Sequence, residues 1–552
     1  MRDQRSGEQV LGLLRRAGTE AGGIGADEVA GVAAELDLPV AHVNGAASFY
    51  ADLAPTERGA RHVQVCCGTA CLAAREGRGP ASDAAHLGTP LGSVSEDGSV
   101  SSQPVHCLGY CYAGPSALDG EDPCAGPDLA DQLSGRAVRQ DPEIPFASDV
   151  ADPVVLAGVL GTGPEAWSVW EEVVAGGDRQ RVIREVSASR LRGRGGAGFP
   201  AAVKWAAASE APGQSPRYLV CNGDEGDPGS FADRLLMERD PHRVLEGMAL
   251  AAYATGANRG IAYVRSEYPR ARDALRAAIA EASDAGHLGA DVRGSGIEFV
   301  VEVFEGAGSY VAGEETALLH SIEGLRGSVS VRPPYPTERG LHGNPTVVNN
   351  VETLCAIPWI VARGGEAYAR LGHEESAGTK VVSLNERFRR PGAYEVELGT
   401  PVRDICERLG GWVVGGRELR SLQVGGPLGG FLRPDQLDVP LGFEPLAELG
   451  VDLGHGSLIA IDEMVAGRDL LRHAWGFAAA ESCGACAPCR IGTRRGLEAA
   501  AQLDDEKAPL PEWYDALLET MERGSLCAFG ASVPQATRSL ASCYPDELGA
   551  DA

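Results

Sequence analysis

The stretch "ESCGACAPCR" (481–490) places Cys483, Cys486 and Cys489 at even three-residue intervals. Three thiols at this spacing can hold most of a metal centre, but a closed four-coordinate site needs one ligand more. The next cysteine along the chain is Cys527 in "GSLCAFG", with 37 residues between it and Cys489. We expect a hairpin of helices to return this sulfur to the first three, so the four cysteines form one predicted metal site.

Three interpretations are open for these C-terminal cysteines. Three close thiolates and a remote fourth are typical of a cubane iron–sulfur cluster, and Pro488 suits a loop wrapped around one. Four cysteines also make a closed structural zinc site, although zinc ligands usually come as two C-x2–4-C pairs. The third interpretation is a set of unliganded thiols at a helix end. Spacing alone favours iron–sulfur without excluding zinc.

A second set of cysteines lies near the N-terminus, where two short strands each run into a cysteine loop, "RHVQVCCGTAC" (61–71) and "PVHCLGYC" (104–111). Cys66, Cys71, Cys107 and Cys111 give four thiolates, enough for a [2Fe–2S] cluster or a zinc ion. Cys67 stands at the wrong register and is interpreted as a bystander. The remaining cysteines are scattered and are predicted to be buried thiols.

Composition excludes several classes of function. The formal net charge of −28 over 552 residues argues against nucleic acid or an anionic membrane surface as the main partner. No stretch approaches the ~18 uninterrupted apolar residues of a membrane span, and the N-terminus lacks a secretory h-region. We therefore expect a cytoplasmic, multidomain protein without direct membrane insertion, whose grouped cysteines bind metal in a reducing compartment.

A glycine-rich region follows the N-terminal cysteines. "LRGRGGAGFP" (191–200) satisfies G-x-G-x-x-G at Gly193, Gly195 and Gly198. The preceding "VIREVSASR" is a charged segment and not an apolar strand, so a standard dinucleotide-binding turn is doubtful. Glycines still let a backbone approach a phosphate or a flat ring closely, and Arg192, Arg194 and Lys204 supply positive charge.

Three further segments place polar side chains at the ends of predicted elements: "YLVCNGDEGDPGSFADR" (218–234), "FEGAGSYVAGEETALLHSIEG" (304–324) and "PTVVNNVETL" (345–354). Together they suggest a polar pocket built from several loops. Each feature has a simpler explanation, because the acidic turn could be solvated or bind a divalent metal, and the other residues could be helix caps. The candidate residues are Asn222, Asp224, Glu225, Asp227, Tyr310, Gly313, Glu314, Glu315, Asn349 and Asn350.

In this order, the glycine-rich loop, the three polar segments and "ESCGACAPCRIGTRRG…SLCAFG" closely resemble the NADH- and flavin-binding subunit of respiratory complex I and its relatives in soluble NAD-linked hydrogenases and formate dehydrogenases. The first 120 residues, with "GAASFYADL", "CCGTACLAAR" and "CLGYCYAGP", resemble the thioredoxin-like [2Fe–2S] subunit of the same assemblies. The chain therefore resembles a fusion of the two subunits.

The resemblance implies roles for individual residues. It places FMN and its phosphate against Gly193, Arg194, Gly195, Gly196, Gly198 and Lys204, with Asn222, Asp224, Glu225, Asn349 and Asn350 completing the flavin pocket. It places NAD(H) near Tyr310, Gly313, Glu314 and Glu315, where the two glutamates lie beside the hydride transfer. It assigns Cys483, Cys486, Cys489 and Cys527 to a [4Fe–4S] cluster, and Cys66, Cys71, Cys107 and Cys111 to a [2Fe–2S] cluster.

One position departs from the complex I pattern. Members from complex I usually carry Glu where this chain has Asp227, and "GDEGDPG" is closer to the hydrogenase and formate dehydrogenase proteins. A carboxylate shorter by one methylene is placed differently toward NADH. This departure and the fusion both favour the soluble enzymes over complex I.

The expected fold is α/β and multidomain, and the resemblance supplies its parts: a thioredoxin-like [2Fe–2S] domain (1–145), a linker (146–175), a Rossmann-like FMN/NADH-binding domain (176–378), a β-grasp insert (379–465) and a C-terminal helical bundle with the [4Fe–4S] cluster (466–552). The implied function passes electrons between NAD(H), FMN and the clusters. The implied partner is the catalytic subunit of a formate dehydrogenase or hydrogenase. The alternatives are the NADH-input subunit of complex I with its other subunits, a stand-alone diaphorase and a zinc-bearing nucleotide-binding scaffold.

Overall fold

The structure is a computed structural model that describes residues 6–53, 57–212, 215–373, 376–504 and 509–549. It opens with three helices, α1 (Ser6–Ala21), α2 (Ala26–Glu35) and α3 (Val40–Ala47). Their apolar faces do not pack on the cysteine-bearing sheet that follows in sequence. They share a core with side chains from the glycine-rich region, including Tyr263 and Leu318. The N-terminal helices thus pack against the glycine-rich region in the middle of the chain.

The first sheet carries the N-terminal cysteines. Its elements are β1 (Arg61–Cys66), α4 (Thr69–Ala74), α5 (Ala81–Ala84), β2 (Val100–Val105), β3 (Ser116–Asp119), β4 (Asp122–Ala125) and α6 (Leu129–Leu133). The strand order is β2-β1-β3-β4, with β1 and β2 parallel and Cys66 opposite Val105. Both cysteine loops therefore leave the same edge of the sheet, as the two strand-then-cysteine segments predicted.

The segment 146–175, predicted as a linker, contains a strand and the start of a helix. Strand β5 (Phe146–Ser148) is followed by Val154, Val155 and Leu156, whose backbone N–H groups donate to the buried carboxyl group of Glu395 at 2.8–3.1 Å. Helix α7 begins within the segment. Glu395 thus holds this part of the chain against a domain that is remote from it in sequence.

The glycine-rich region folds around a second sheet, all of whose strands are parallel. Its elements are α7 (Ser168–Gly176), α8 (Arg179–Ala188), α9 (Ala201–Glu210), β6 (Tyr218–Gly223), α10 (Ala232–Arg239), α11 (Pro241–Thr255), β7 (Arg259–Val264), α12 (Pro269–Asp284), β8 (Val300–Glu305), α13 (Glu315–Ile322), α14 (Pro336–Arg339), β9 (Thr346–Asn350), α15 (Val351–Arg363) and α16 (Gly365–Ala369). "VIREVSASR" belongs largely to α8, so the glycine-rich loop follows a helix and not a strand. This agrees with the doubt, raised by the charged residues of this segment, that the loop is a standard dinucleotide-binding turn.

The strand order of this sheet, β8-β7-β6-β9, explains where its polar residues gather. The chain moves outward from β6 to β7 and β8 and then returns to the other side of β6 as β9. Ligands of open α/β sheets bind where the direction of progress reverses, at the carboxyl ends of the strands. Asn222 and Asn350, paired in register between β6 and β9, lie at that point.

The third sheet has six strands in the order β13-β12-β14-β10-β11-β5. Its elements are β10 (Thr379–Leu384), β11 (Gly392–Glu397), α17 (Val402–Asp404), β12 (Leu419–Val424), β13 (Gly430–Leu432), α18 (Phe443–Glu448) and β14 (Ser457–Asp462). Strand β5 pairs in parallel with β11 and closes one edge. The segment that joins the first and second sheets is thereby built into the third.

The C-terminal part is helical. It comprises α19 (Gly467–Glu481), α20 (Ala487–Ala501), α21 (Tyr514–Gly524), α22 (Ala528–Cys543) and α23 (Pro545–Leu548). The first four pack each against the next, and α22 also packs against α19, around an interior that includes Trp475 and Met521. Among the described residues, no helix combines the length and apolarity that a bilayer crossing requires.

Candidate functional site

The four C-terminal cysteines line one small cavity. Cys483 and Cys486 lie in the loop between α19 and α20, Cys489 lies in the first turn of α20, and Cys527 immediately precedes α22. The cavity is otherwise lined by Val311, Val329, Gly484, Ala485, Leu526 and Phe529. Cys527 therefore returns to the other three, as predicted. Most of the short cysteine run is loop and not helix, because α19 ends at Glu481.

Two of the thiols that line the cavity have a raised pKa. Burial raises the pKa of Cys489 to about 11 and also raises that of Cys527. Cys527 is the N-cap of α22, where the backbone N–H groups of Phe529 and Gly530 oppose burial and lower its pKa. Helix N-termini stabilise anionic sulfur, so this end of α22 is suited to a thiolate bound to a positively charged metal.

The N-terminal cysteines converge in a fully buried group. Cys107 and Cys111 have their sulfur atoms 3.6 Å apart, and Cys71 is in hydrogen-bonding contact with Cys66. Cys111 interacts electrostatically with all three others, and its contact with Cys107, followed by burial, raises its pKa well above the usual value. The same contact lowers the pKa of Cys107 to about 6. Four buried thiols that meet in this way are suited to sharing a metal cluster.

Cys67 points away from this group, which agrees with its interpretation as a bystander. Its thiol contacts the carbonyl of Val105 at 3.2 Å and also the side chain of His106. The imidazole Nδ1 of His106 lies 2.8 Å from Glu481 Oε1, and Glu481 Oε2 accepts the backbone N–H of Tyr310 at 2.9 Å. Glu481 thus joins the two cysteine sites to the turn that carries Tyr310.

Tyr310 also contacts the aromatic side chains beside the C-terminal cavity. Its ring lies 5.0 Å from that of Phe477 and 5.7 Å from that of Phe529, and Phe477 in turn lies 5.0 Å from His106. These distances are typical of packed aromatic pairs. The Tyr310 turn is therefore held by both cysteine-bearing regions.

Two glycines of the glycine-rich loop lie too close to β9 and α18 to carry a side chain. A Cβ on Gly195 would stand 2.9 Å from Cβ of Asn350, and one on Gly198, whose φ is +59°, would stand 2.7 Å from the ring of Phe443. The Arg194 guanidinium faces the interior, where it donates to Thr379, Ala377 and Tyr368. The loop thus presents its backbone, and the hydrogen bonds of the Arg194 guanidinium stabilise the loop from the interior side.

The acidic loop after β6 meets the turn before α13. The amide of Asn222 donates to the carbonyl of Gly313 at 2.9 Å, and a Cβ on Gly313 would stand 3.2 Å from the carbonyl of Asp224. Asp224 is buried, and its Oδ2 has no hydrogen-bond partner among the described residues. Burial raises the pKa of Asp224 to about 8. A buried, unsatisfied carboxyl oxygen is ready to contact a polar ligand.

The candidate residues before α13 are joined by ion pairs. Glu314 caps α13 through the N–H groups of Thr316 and Ala317, so its capping interpretation holds. Glu315 contacts Lys204 at 3.0 Å and Arg332 at 2.7 Å, while Arg332 also lies 3.4 Å from Glu314. The hydroxyl of Tyr310 donates to Asp227 at 2.6 Å. Two cations and two carboxylates are therefore linked at the start of α13, and the Tyr310 turn before it is tied to Asp227.

The two asparagines at the end of β9 have different partners. Asn349 accepts the indole N–H of Trp205 at 2.8 Å. Asn350 accepts the N–H of Thr353 at the start of α15, which is the helix cap expected of it, and donates its amide to Asp233 at 2.5 Å. Asn349 thus anchors α9, and Asn350 connects the strand end to the acidic loop.

Sequence reasoning missed four residues at the site: Arg265, Arg332, Asp233 and His455. Arg265 donates to the carbonyls of Glu225 and Cys107, both at 2.9 Å. Asp233 was quoted within "GSFADR" without a role, and His455 lies in "LGHGS", a glycine-rich turn that could have drawn attention. No spacing joins these residues to their partners, which are far away in sequence.

The arrangement fits the groups that the sequence implies. Each set of four cysteines meets in one place, one around a cavity and one in a buried group. The glycine-rich loop, the acidic loop, the Tyr310 turn and the end of β9 form a cradle in which added Cβ atoms would collide. The orphaned oxygen of Asp224 adds a polar contact. These features suit two metal clusters and a flat, phosphate-bearing cofactor.

Three family models match the chain in succession. Residues 2–125 match the thioredoxin-like [2Fe-2S] ferredoxin model, residues 186–359 match the Nuo51 FMN-binding domain, and residues 469–551 match the iron-sulfur binding region of NADH-ubiquinone oxidoreductase-F. Both cysteine sites thus lie in regions matched by iron–sulfur models, which decides against zinc. The matched flavin domain contains the glycine-rich loop and all three polar segments.

Two sequence relatives and one solved structure support the same assignment. An F-type subunit of NADH-quinone oxidoreductase from Rhizobium meliloti is 39% identical over 361 residues, which are 65% of this chain and 85% of that protein. The HndC subunit of the NADP-reducing hydrogenase from Solidesulfovibrio fructosivorans is 39% identical over 67% of this chain and 75% of its own. A crystal structure of NAD+-reducing [NiFe]-hydrogenase in the H2-reduced state superposes with a TM-score of 0.86 at 31% identity, covering 99% of this chain and 94% of that one.

Proposed function

The chain belongs to the family of F-type subunits of NADH-quinone oxidoreductase, and we propose that it is the NAD(H)-reacting subunit of a soluble NAD-dependent formate dehydrogenase or hydrogenase. It is an oxidoreductase flavoprotein with FMN, one [2Fe–2S] and one [4Fe–4S] cluster. The alternative is the NADH-input subunit of complex I, fused to its thioredoxin-like neighbour. We further propose that the protein is cytoplasmic.

One observation favours the hydrogenase or formate dehydrogenase assignment. The NAD+-reducing hydrogenase structure aligns with 99% of this chain and with 94% of its own. The thioredoxin-like region is therefore aligned within a single chain in the hydrogenase. Asp227, in place of the glutamate usual in complex I, points in the same direction.

We assign the domains as the sequence suggested, with three refinements. The thioredoxin-like domain ends after α6, and the linker contributes β5 to the β-grasp insert. Because α7 begins within the linker, the flavin domain starts at Ser168, while the insert at 379–465 and the helical [4Fe–4S] bundle at 466–552 keep their predicted bounds. The four-helix packing of α19–α22 and the six-stranded sheet support the last two assignments.

NAD(H) binding is assigned to the cleft before α13. Tyr310 and Asp227 would face the nicotinamide, and their mutual hydrogen bond of 2.6 Å fixes both side chains. Lys204, Arg332 and Glu315 form a chain of ion pairs that would open to receive a phosphate, because a phosphate competes with Glu315 for both cations. Glu314 keeps the start of α13 in place while those pairs rearrange.

FMN would be held by the glycine-rich loop from Gly193 to Gly198, with Asn222, Asp224, Glu225 and Asn350 around it. Bound flavin supplies the exchange between a two-electron hydride carrier and one-electron clusters. The protein contributes a cradle that excludes water, backbone N–H groups at the loop, and a carboxyl at Asp224 that burial keeps protonated near neutral pH. A protonated carboxyl can donate a hydrogen bond to an acceptor on the cofactor.

The test of this assignment is the electron donor that the native complex uses. We expect the complex purified through this chain to reduce NAD+ with formate or with H2, under anaerobic conditions. Activity with only one donor identifies the partner as a formate dehydrogenase or a hydrogenase. Quinone reduction by NADH, with neither formate- nor H2-dependent NAD+ reduction, would assign the chain to complex I instead.

A further inference from the structure

A buried imidazole lies directly behind the proposed flavin and NAD(H) contacts. His455 stands two residues before β14, and its ring lies between the carboxylates of Asp227 and Asp233. Nε2 is 2.8 Å from Asp233 Oδ2, and Nδ1 is 3.8 Å from Asp227 Oδ2. All three side chains are at least nine-tenths buried. The ring therefore connects the residue facing NAD(H) with a carboxylate deeper in the protein.

The deeper carboxylate is a hydrogen-bond acceptor on both of its oxygens. Asp233 Oδ1 accepts the backbone N–H of Glu352 at 3.1 Å, and Oδ2 accepts the amide of Asn350 at 2.5 Å as well as the imidazole N–H of His455. A carboxylate that accepts several N–H groups is stabilised in its ionised form. The imidazole of His455 is thus one of three N–H donors that surround the Asp233 carboxylate.

His455 is the positively charged partner of the carboxylates around it. Burial is the largest single influence and disfavours the charged imidazole, but Asp233, Glu225 and Asp227 together outweigh burial and raise the pKa of His455 to about 9. With both ring nitrogens protonated, one N–H donates to Asp233 and the other faces Asp227. The imidazolium therefore matches the acceptors on its two sides.

Glu225, Asp233 and His455 could also be considered as metal ligands, because their ligand atoms lie within 4.8 Å of one another. However, the oxygens of both carboxylates already accept hydrogen bonds. Both oxygens of Glu225 accept hydrogen bonds, from the hydroxyl of Ser230 and from the N–H groups of Asp233 and Arg234. A metal ion would have to displace these donors and the imidazole proton, so the arrangement is that of an ion pair.

The pair is also in contact with the glycine-rich loop. A Cβ on Gly196 would stand 3.8 Å from Gly454, the neighbour of His455, and Gly195 lies against Asn350, which donates to Asp233. On the other side, a Cβ on Gly426 would stand 2.9 Å from Cγ of Asp227. Asp227 consequently has little freedom to move except along the line to Tyr310 and His455.

We propose that His455 is a positioning residue that, as an imidazolium bridging Asp227 and Asp233, orients the Asp227 carboxylate for NAD(H) and the Asn350 amide for the flavin. This inference rests on the proposed function. It explains why a shorter aspartate serves at position 227, since its carboxylate lies 3.8 Å from the imidazole Nδ1 behind it and accepts the hydroxyl of Tyr310 in front.

The test compares His455→Gln, Asp233→Asn and the double variant in the purified holoenzyme. Glutamine removes the positive charge beside the buried Asp233 carboxylate, so His455→Gln is expected to lower FMN content. It is also expected to raise the KM for NADH about tenfold, because the buried Asp227 carboxylate loses the positive charge 3.8 Å away. The double variant removes both charges. We expect it to regain the FMN content of the wild type, while its KM stays high because Asp227 still lacks the imidazolium.

The double variant distinguishes positioning from general stabilisation. Recovery of both FMN content and KM would overturn the inference, because His455 would then act only as a counter-ion to Asp233. An unchanged KM in His455→Gln with FMN bound would also overturn it. His287→Gln, which removes a histidine stacked on Trp167 far from the cleft, is the control and should match the wild type. A wild-type protein that binds no FMN would contradict the proposed function itself, and this outcome is visible before any variant is made.

Discussion

The guanidinium of Arg265 donates to the backbone carbonyl of Cys107 at 2.9 Å, although 158 residues separate the two in sequence. The same guanidinium donates to the carbonyl of Glu225 at 2.9 Å and lies 3.7 Å from Asp224. It is buried on the boundary between the thioredoxin-like domain and the flavin domain. One positive charge is thus shared by a loop of the [2Fe–2S] site and a loop of the flavin site.

Removing this charge should lower the midpoint potential of the [2Fe–2S] cluster. A nearby cation favours the reduced, more negative form of a cluster, so Arg265→Gln is expected to lower the potential by about 60 mV if the lost interaction is about 1.4 kcal/mol. An anaerobic redox titration followed by EPR measures the change. Arg265→Lys keeps the charge and should lower the midpoint potential less than Arg265→Gln does. Arg276→Gln, which removes an exposed arginine, is the control. Equal potentials in all three variants would contradict the role of Arg265.

Loss of the [2Fe–2S] cluster should leave the flavin reaction largely intact. Cys107→Ser removes a ligand from the N-terminal set, so its EPR signal should disappear while NADH–ferricyanide activity persists, because the NAD(H) cleft contains none of these cysteines. Cys67→Ser is the matched control, since Cys67 adjoins a ligand yet contacts Val105 and His106. Loss of the activity in Cys107→Ser with FMN still bound would contradict this separation.

Cys527 should be essential to the [4Fe–4S] cluster, and Cys543 should not. Cys527 immediately precedes helix α22 and Cys543 is its last residue, but of the two only Cys527 lines the cavity. Cys527→Ser should lose the [4Fe–4S] EPR signal and the corresponding iron while the [2Fe–2S] signal remains. Cys543→Ser should retain both. A [4Fe–4S] signal that survives the loss of Cys527 at full intensity would refute the four-cysteine assignment.

The sequence predicted the site best where chemistry lies in short motifs. Cysteine spacing predicted the two groups of cysteines that the structure brings together, and the resemblance pointed to the four loops that meet at the proposed flavin site. The sequence was less informative about secondary structure around Cys483 and Cys486, because flanking helical patterns on both sides obscured a loop. It also treated 146–175 as a linker, since a three-residue strand such as β5 has no periodicity of its own and is stabilised by pairing with β11.

Long-range electrostatics could not be predicted from the sequence. Arg194 was assigned to a phosphate as a cation beside glycines, whereas its guanidinium is satisfied by carbonyls of residues 377 and 379. His455 and Asp233 stand 222 residues apart, and nothing in either local sequence indicates the other. Such pairs are determined by the packing of three domains, which no local pattern records.

Stability should fall as pH rises from about 7 to 9. His455, with a pKa raised to about 9, holds a proton in the folded state that it loses near 6.5 when unfolded. Its contribution is therefore complete below pH 6.5 and is lost as pH rises through 9, at up to about 1.4 kcal/mol per pH unit. Buried Asp224 and Glu225, with pKa values raised to about 8 and 7, act in the same direction.

Thermal unfolding at pH 6.5, 7.5 and 9 tests this dependence. The groups that face His455 are Asp224, Glu225, Asp227 and Asp233, and Lys380 adds its charge near Asp227. At pH 6.5 the His455→Gln variant should have a lower Tm than the wild type. This difference in Tm should narrow toward pH 9. A wild-type Tm that rises across this range would contradict the protonation of His455.

The central claim is that NADH reduces an FMN bound in this chain and that electrons then reach the [4Fe–4S] cluster of the same chain. The most direct measurement is anaerobic addition of NADH to the purified protein, with visible absorbance and low-temperature EPR recorded on the same sample. We predict that released cofactor analysis finds FMN, that NADH bleaches the flavin absorbance, and that a [4Fe–4S] signal appears which Cys527→Ser abolishes. A colourless protein containing zinc, with no flavin and no EPR signal on reduction, would contradict the account.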